Sequence, residues 1–296
     1  VKHLFLSTAL AAALLGTLMS HRAAPTAADS PQLASMFEKY WDERAQLFPL
    51  EATAQGDNRY NDLLPNDGTQ AYREAQRQFF QQYLEALQKF DRAKLSANDQ
   101  VSYDIFRYEM QMRLDGLKQL SWMMPFSQFN GLPISMAQLG AGTGNQPFRT
   151  TQDYDNWLGR VRAYPVWADT AISNMRRGMR AGVVLPRPLV EKMLPQLQAM
   201  VTTDASKSIF YGPVSKFPAA VSAADQQRLA AAYQQAISQQ VVPTYQKLHD
   251  FLRNEYLPPP AFRRCPAARA CTATPLSSGP PPTAPPTRFT KPASTR

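Results

Sequence analysis

Metal-assisted hydrolysis needs ligands that can converge, typically two histidines one helical turn apart with a carboxylate or a third histidine nearby. The 296-residue chain holds three histidines in all. His3 and His21 fall in an N-terminal stretch that reads as a leader, so the body keeps His249 alone. It sits at the edge of an apolar helical stripe, where a structural role is expected. No zinc site can be assembled on histidine here, and a Ser-His-Asp arrangement has little material to work with. Gly140, Gly142 and Gly144 alternate as G-A-G-T-G, without the Lys-Ser/Thr of a phosphate loop or the spacing of a dinucleotide loop, and read as a turn. Asp57, Asp62 and Asp67 lie among Gly56, Asn58, Asn61 and Gly68 at spacings unlike a calcium loop, which points to turn formation. Arg176, Arg177 and Arg180 read as a solvated helix end. The sequence therefore nominates no catalytic residue and no metal ligand.

The elements that would position any site are helical. Leu33, Met36, Phe37, Tyr40, Trp41 and Leu47 predict an amphipathic helix over 33–48, and Tyr72, Phe79, Tyr83, Leu87 and Phe90 predict a second. Ser96 with Asp99 three residues on is a capping pattern, and it opens a third helix with Val101, Ile105, Tyr108 and Met112 as its apolar stripe. Residues 153–180 and 188–203 give two more. The longest predicted helix runs from Ala223 to about Tyr256, with Pro243 expected to kink it by removing a backbone donor. Between Trp122 and Thr151 the density of proline and glycine predicts a long ordered loop or a few short turns. Strand-like alternation is scarce, so the fold class is mostly α and multi-helix. The aromatic residues, Phe79, Phe80, Tyr83, Trp157 and Trp167 among them, sit on helical stripes and read as core.

Charge excludes one class of function. The net charge of +9 suggests nucleic acid, but eight of the 32 basic residues lie at the two ends: Lys2 and Arg22, then Arg263, Arg264, Arg269, Arg288, Lys291 and Arg296. The middle keeps 24 basic against 23 acidic residues, a net of +1. A neutral body is not an electrostatic nucleic-acid platform. Residues 1–28 read as a signal peptide: Lys2, an apolar run from Leu4 to Met19, and small residues that put the cut before Asp29. An uncleaved anchor is the alternative, although the run stops short of the roughly 20 residues a span requires. Export to the periplasm or the medium follows, with no stable membrane span after cleavage.

Residues 29–257 form the expected helical domain. From Pro258 the composition changes, with eleven of the 25 prolines, both cysteines and no acid. This 258–296 tail reads as Pro-rich and disordered. A one-base shift would permit a glycine- and aromatic-rich text across Arg264 to Thr274, which suggests a frame break near Pro258 to Ala261.

Phe48-Pro-Leu-Glu-Ala-Thr-Ala-Gln-Gly-Asp57, followed by Tyr60, Asp62 and Leu64, resembles the opening of the bacterial family called domain of unknown function 885. So do Leu95-Ser96 with Asp99, Ser102, Tyr103 and Asp104; Pro125, Ser127, Gln128 and Gly131; and Asp153-Tyr154, Arg160, Met175-Arg176, Gly178, Gly182 and Pro186. The resemblance runs from about Leu33 to Leu257. It implies an exported helical zinc peptidase of the gluzincin type, whose H-E-x-x-P-G-H motif lies in a C-terminal half that this sequence lacks. The chain is then an incomplete N-terminal half of a larger helical peptidase-like fold, with zinc expected in full-length relatives and no cofactor of its own. Its helices would wall a peptide cleft, with Gln128 and Asn130 as candidate peptide contacts, and loss of the other half would expose apolar helix faces. A periplasmic helical binding or scaffold protein without catalysis is the alternative reading.

Overall fold

A computed structural model describes residues 29–257, so the leader reading for 1–28 and the reading of the tail from Pro258 lie outside the described residues. Among the described residues the regular elements are all helical: α1 (Pro31–Leu47), α2 (Pro49–Ala54), α3 (Gln70–Gln88), α4 (Ala97–Leu117), α5 (Leu132–Gly140), α6 (Thr151–Ala181), α7 (Arg187–Gln198), α8 (Gly212–Ser215), α9 (Ala223–Ala236) and α10 (Val242–Phe251). None is long and apolar enough to cross a membrane.

Side-chain caps set several helix starts. Ser30, Thr69 and Ser96 accept from the backbone N–H groups of Leu33, Tyr72 and Asp99, satisfying donors that a helix start leaves open. Thr150 and Asp153 form a reciprocal capping box at the head of α6. That helix ends at Gly182, whose φ of 72° lies in the left-handed region open to glycine.

Two apolar cores result. In the smaller, α1, α3 and α4 surround Tyr40, whose ring meets Trp41, Phe79, Tyr83 and Phe106 at centroid distances of 5.4, 5.4, 5.1 and 4.8 Å. Such aromatic pairs are worth about 0.5–1.5 kcal/mol beyond their buried area. The larger core is built on α6, whose Tyr154, Trp157, Val161, Tyr164, Trp167 and Met175 share one cluster with residues of α5, α7, α9 and α10; α9 and α10 pack directly on α6, and α7 packs on α10.

Three expectations are corrected. Val101, Ile105, Tyr108 and Met112 do not face the core; Tyr108 is 65% exposed, and α4 instead buries Tyr103, Phe106 and Met110 against α3. The helix is apolar on two faces, and the aromatic cluster around Tyr40 selects one of them. The breaker-rich stretch contains a regular helix, α5, because its breakers stand at its ends: Gly131 at the N-cap, Pro133 in the first turn and Gly140 as the last residue. The C-terminal run is helical throughout but divided, with wide π-helical turns at Ile237–Val241 and Leu252–Tyr256 and Pro243 in the first turn of α10. The wide turn precedes the proline, and Thr244 donates its hydroxyl to the carbonyl of Gln240 at 2.6 Å.

Candidate functional site

The 125–131 turn folds back on itself. Asn130 O accepts from the Ser127 N–H at 2.8 Å, Ser127 Oγ hydrogen-bonds Asn130 Oδ1 at 2.9 Å, and Phe129 N–H donates to Ser127 Oγ at 3.2 Å. Gly131 closes it with φ 113°, and a Cβ there would come within 2.4 Å of Phe126 Cβ. This turn and α5 face α7 across an open groove of about 560 Å³. Its apolar surface comes from Phe126, Pro133, Ile134, Met193, Leu197 and Met200, with Tyr245 of α10 also contributing.

Tyr245 is fixed there by donating its hydroxyl to Pro133 O at 2.6 Å, with the Tyr164 ring 5.5 Å away. Burial pushes the Tyr164 hydroxyl pKa well above the usual phenol value, so it stays protonated. Three glutamines join the lining, Gln128, Gln138 and Gln196, and Gln196 donates Nε2–H to Gln128 O at 3.2 Å, tying α7 to the turn. Phe129, 74% exposed, also borders the groove. Among the described residues no Asp, Glu, Lys, Arg or His lines it. It has apolar area and amide groups, and it has no residue suited to general acid–base work near neutral pH.

Of the two nominated contacts, Gln128 lies in the groove lining. Asn130 does not; its side chain helps close the turn with Ser127. Met193, Gln196, Met200 and Tyr245 were not legible as site residues, because nothing in a helical stripe says which loop will pack beside it.

Residues that carried the family resemblance meet elsewhere, around Arg160. Its side chain is fully buried (0% exposed) and donates to Leu63 O at 3.0 Å, Thr53 Oγ1 at 2.8 Å, Pro49 O at 3.2 Å, Tyr60 O at 3.3 Å and Gln146 Oε1. Burial pulls its pKa down to about 10, opposed by the charge of Asp62, which leaves it charged at neutral pH. The single Thr53 hydroxyl proton faces both Asn61 Oδ1 at 2.6 Å and Pro49 O at 2.8 Å. Further along α6, Trp167 Nε1–H donates to Asp67 at 2.6 Å and Asn174 Nδ2–H to Gly68 O at 2.8 Å. The turn-forming residues of 56–68 are thus docked on α6 by hydrogen bonds, and this polar seam joins the two cores.

A second cleft, between α6 and the C-terminal run, is charged but internally neutralised. Arg176 pairs bidentately with Glu255 at 2.7 Å and Lys247 pairs with Asp169. His249 is buried beside Asp250, its Nδ1 3.0 Å from Oδ1. Among the described residues no three His, Cys, Asp or Glu side chains converge in a way that could hold a metal ion. The zinc implied by the resemblance therefore does not fit these residues.

The chain matches the model of a family described as "Bacterial protein of unknown function (DUF885)" over residues 49–274. The match continues past Leu257 and gives no support to a break in frame at 258–261. Among solved structures, "the putative lipoprotein from Colwellia psychrerythraea" shares 16% identity and superposes with a TM-score of 0.55. The superposition covers 76% of this chain and 41% of that one, and at this identity the likeness establishes fold alone. No curated protein matches the chain.

Proposed function

The chain belongs to the bacterial family of unknown function DUF885, and from that premise we propose that its helices form the substrate-binding wall of an exported peptidase-like protein whose metal-binding motif lies outside this sequence. The groove between the 125–131 turn, α5 and α7 takes an extended, uncharged, apolar peptide segment. One observation carries this reading: among the described residues the groove combines an apolar surface with three glutamine amides and no ionisable group other than Tyr245. Amides hydrogen-bond a peptide backbone whatever its side chains, and a surface free of charge favours uncharged apolar residues. The described lining offers binding contacts and no acid–base pair, and the role proposed for this groove is binding. The 41% coverage of the neighbouring structure is compatible with a larger whole.

Fluorescence anisotropy of a labelled uncharged apolar decapeptide tests the binding. Saturable binding is expected, weakened at least tenfold in Ala137→Trp, which fills the groove. Absence of saturable binding, or an unaffected Ala137→Trp, refutes the groove. Stoichiometric zinc with chelator-sensitive hydrolysis by this chain alone refutes the placement of the metal motif outside it.

A further inference from the structure

The basic cluster near the end of α6 is not uniformly solvated. Arg176 is held by Glu255, whereas Arg177 lies over the ring of Trp122, its guanidinium carbon 4.5 Å from the centroid. Arg73 approaches the same ring at the same distance of 4.5 Å. The two cations come from elements far apart in sequence, Arg73 from the start of α3 and Arg177 from the end of α6. Trp122 stands on the 3₁₀ turn Leu120–Met123 packed against α6. Both guanidinium carbons are equally distant from one point, so they lie no further apart than twice that distance.

Two like charges held so close normally share a carboxylate. Several arginines of the chain have one, among them Arg44 with Glu51, Arg92 with Asp104 and Arg228 with Asp155, while others such as Arg162 and Arg180 stand singly without one among the described residues. Among the described residues neither Arg73 nor Arg177 forms an ion pair. The Arg73 side chain makes one hydrogen bond, to Gly68 O at 2.7 Å, and the Arg177 side chain makes none among the described residues. A guanidinium carries five N–H donors, so most of the donors in this pair are open.

The first turn of α3 contains no acidic side chain, and the positive pole of that helix adds to the charge of Arg73. Burial, and then the charge of Arg177, lowers the pKa of Arg73. A cation over the indole contributes about 0.5–1 kcal/mol at a partly exposed position, which keeps both guanidinium groups beside the ring. What results is a pair of guanidinium groups on one ring, with positive potential and no ion-pair partner among the described residues.

We propose that Arg73, Trp122 and Arg177 form an oxyanion site that takes a carboxylate or phosphate group at the edge of the indole, each guanidinium donating to its oxygens. Planar forks match both groups bidentately, and the bound anion replaces a like-charge repulsion with two attractions. None of the three residues lines the apolar groove, so this site is independent of the peptide reading.

The test follows Trp122 emission, taken as the difference between the full chain and Trp122→Phe, during titration with sodium phosphate and separately with sodium acetate at constant ionic strength in chloride. A saturable change is expected, weakened at least tenfold in Arg177→Gln, reduced less in Arg177→Lys and unaltered in Arg180→Gln. Phosphate or acetate, whichever is also tighter in the melting temperature of the chain, identifies the source of the oxyanion. The melting shift gives a readout independent of the indole and checks that Arg177→Gln is folded. No saturable change with either salt, a change that chloride reproduces, or an Arg177→Gln titration matching that of the unaltered chain overturns the proposal.

Discussion

Replacing Arg160 with methionine tests whether the seam between the two cores depends on one buried cation. The structure sets the magnitude through what each acceptor keeps. Tyr60 O retains the Leu63 N–H at 3.2 Å, and the Thr53 hydroxyl keeps its proton between Pro49 O and Asn61 Oδ1, at 2.8 and 2.6 Å. Leu63 O and Gln146 Oε1 have no other hydrogen bond among the described residues. Gln146 Oε1 is therefore orphaned in a buried position, at about 1–3 kcal/mol, whereas Leu63 O, on a residue 38% exposed, costs less because water can reach it. Removing a charge from a fully buried position offsets part of that loss. The expected net destabilisation is about 1–3 kcal/mol.

Arg160→Lys separates geometry from charge. A lysine keeps the buried cation but has three donors on one nitrogen, which cannot span acceptors spread across Nε, Nη1 and Nη2. It should be at least as destabilised as Arg160→Met, because its charge stays buried with fewer partners. Equilibrium urea unfolding followed by far-ultraviolet circular dichroism reads both variants. A loss below about 1 kcal/mol in Arg160→Met, or unaltered stability in Arg160→Lys, refutes the reasoning.

Two further outcomes follow from packing. On α4, Ile105→Ser and Met112→Ser should change stability by no more than about 0.5 kcal/mol, whereas Phe106→Ala should cost about 3–5 kcal/mol in the same unfolding measurement; the reverse order would restore the Val101–Met112 stripe as the core face. Gly116→Ala meets nothing within 4 Å and should stabilise by about 0.5–1 kcal/mol. Gly178→Ala brings a Cβ to 2.4 Å from Val183 O at the end of α6 and should lower the melting temperature; an equal response at the two glycines would contradict the close approach of Val183 O to position 178.

How far the sequence could be read depended on whether a signal was local. The cap at Ser96 and the stripe of α3 are local, and both stand where the spacing places them. The face of α4 is not local. Val101, Ile105, Tyr108 and Met112 recur at helical spacing as well as Tyr103, Phe106 and Met110 do, and only the aromatic partners on α1 and α3 decide between them. In the 122–151 stretch the density of proline and glycine carries less information than their positions. A glycine before and a proline within the first turn are marks of a helix start, and their order predicts α5 where their number predicts a loop.

The same distinction explains why the resemblance led to the scaffold and the groove stayed hidden. Thr53, Tyr60 and Arg160 are unusual in type and spacing because a buried guanidinium demands particular acceptors around it, and such demands leave a readable pattern. The groove asks only for apolar side chains and amides, which are common on any helix surface. Gln128 became visible through its place among breakers, while Met193 and Gln196 are indistinguishable in sequence from the other residues of α7. A binding surface without ionisable chemistry becomes legible only after the turn, α5 and α7 have been brought together in three dimensions.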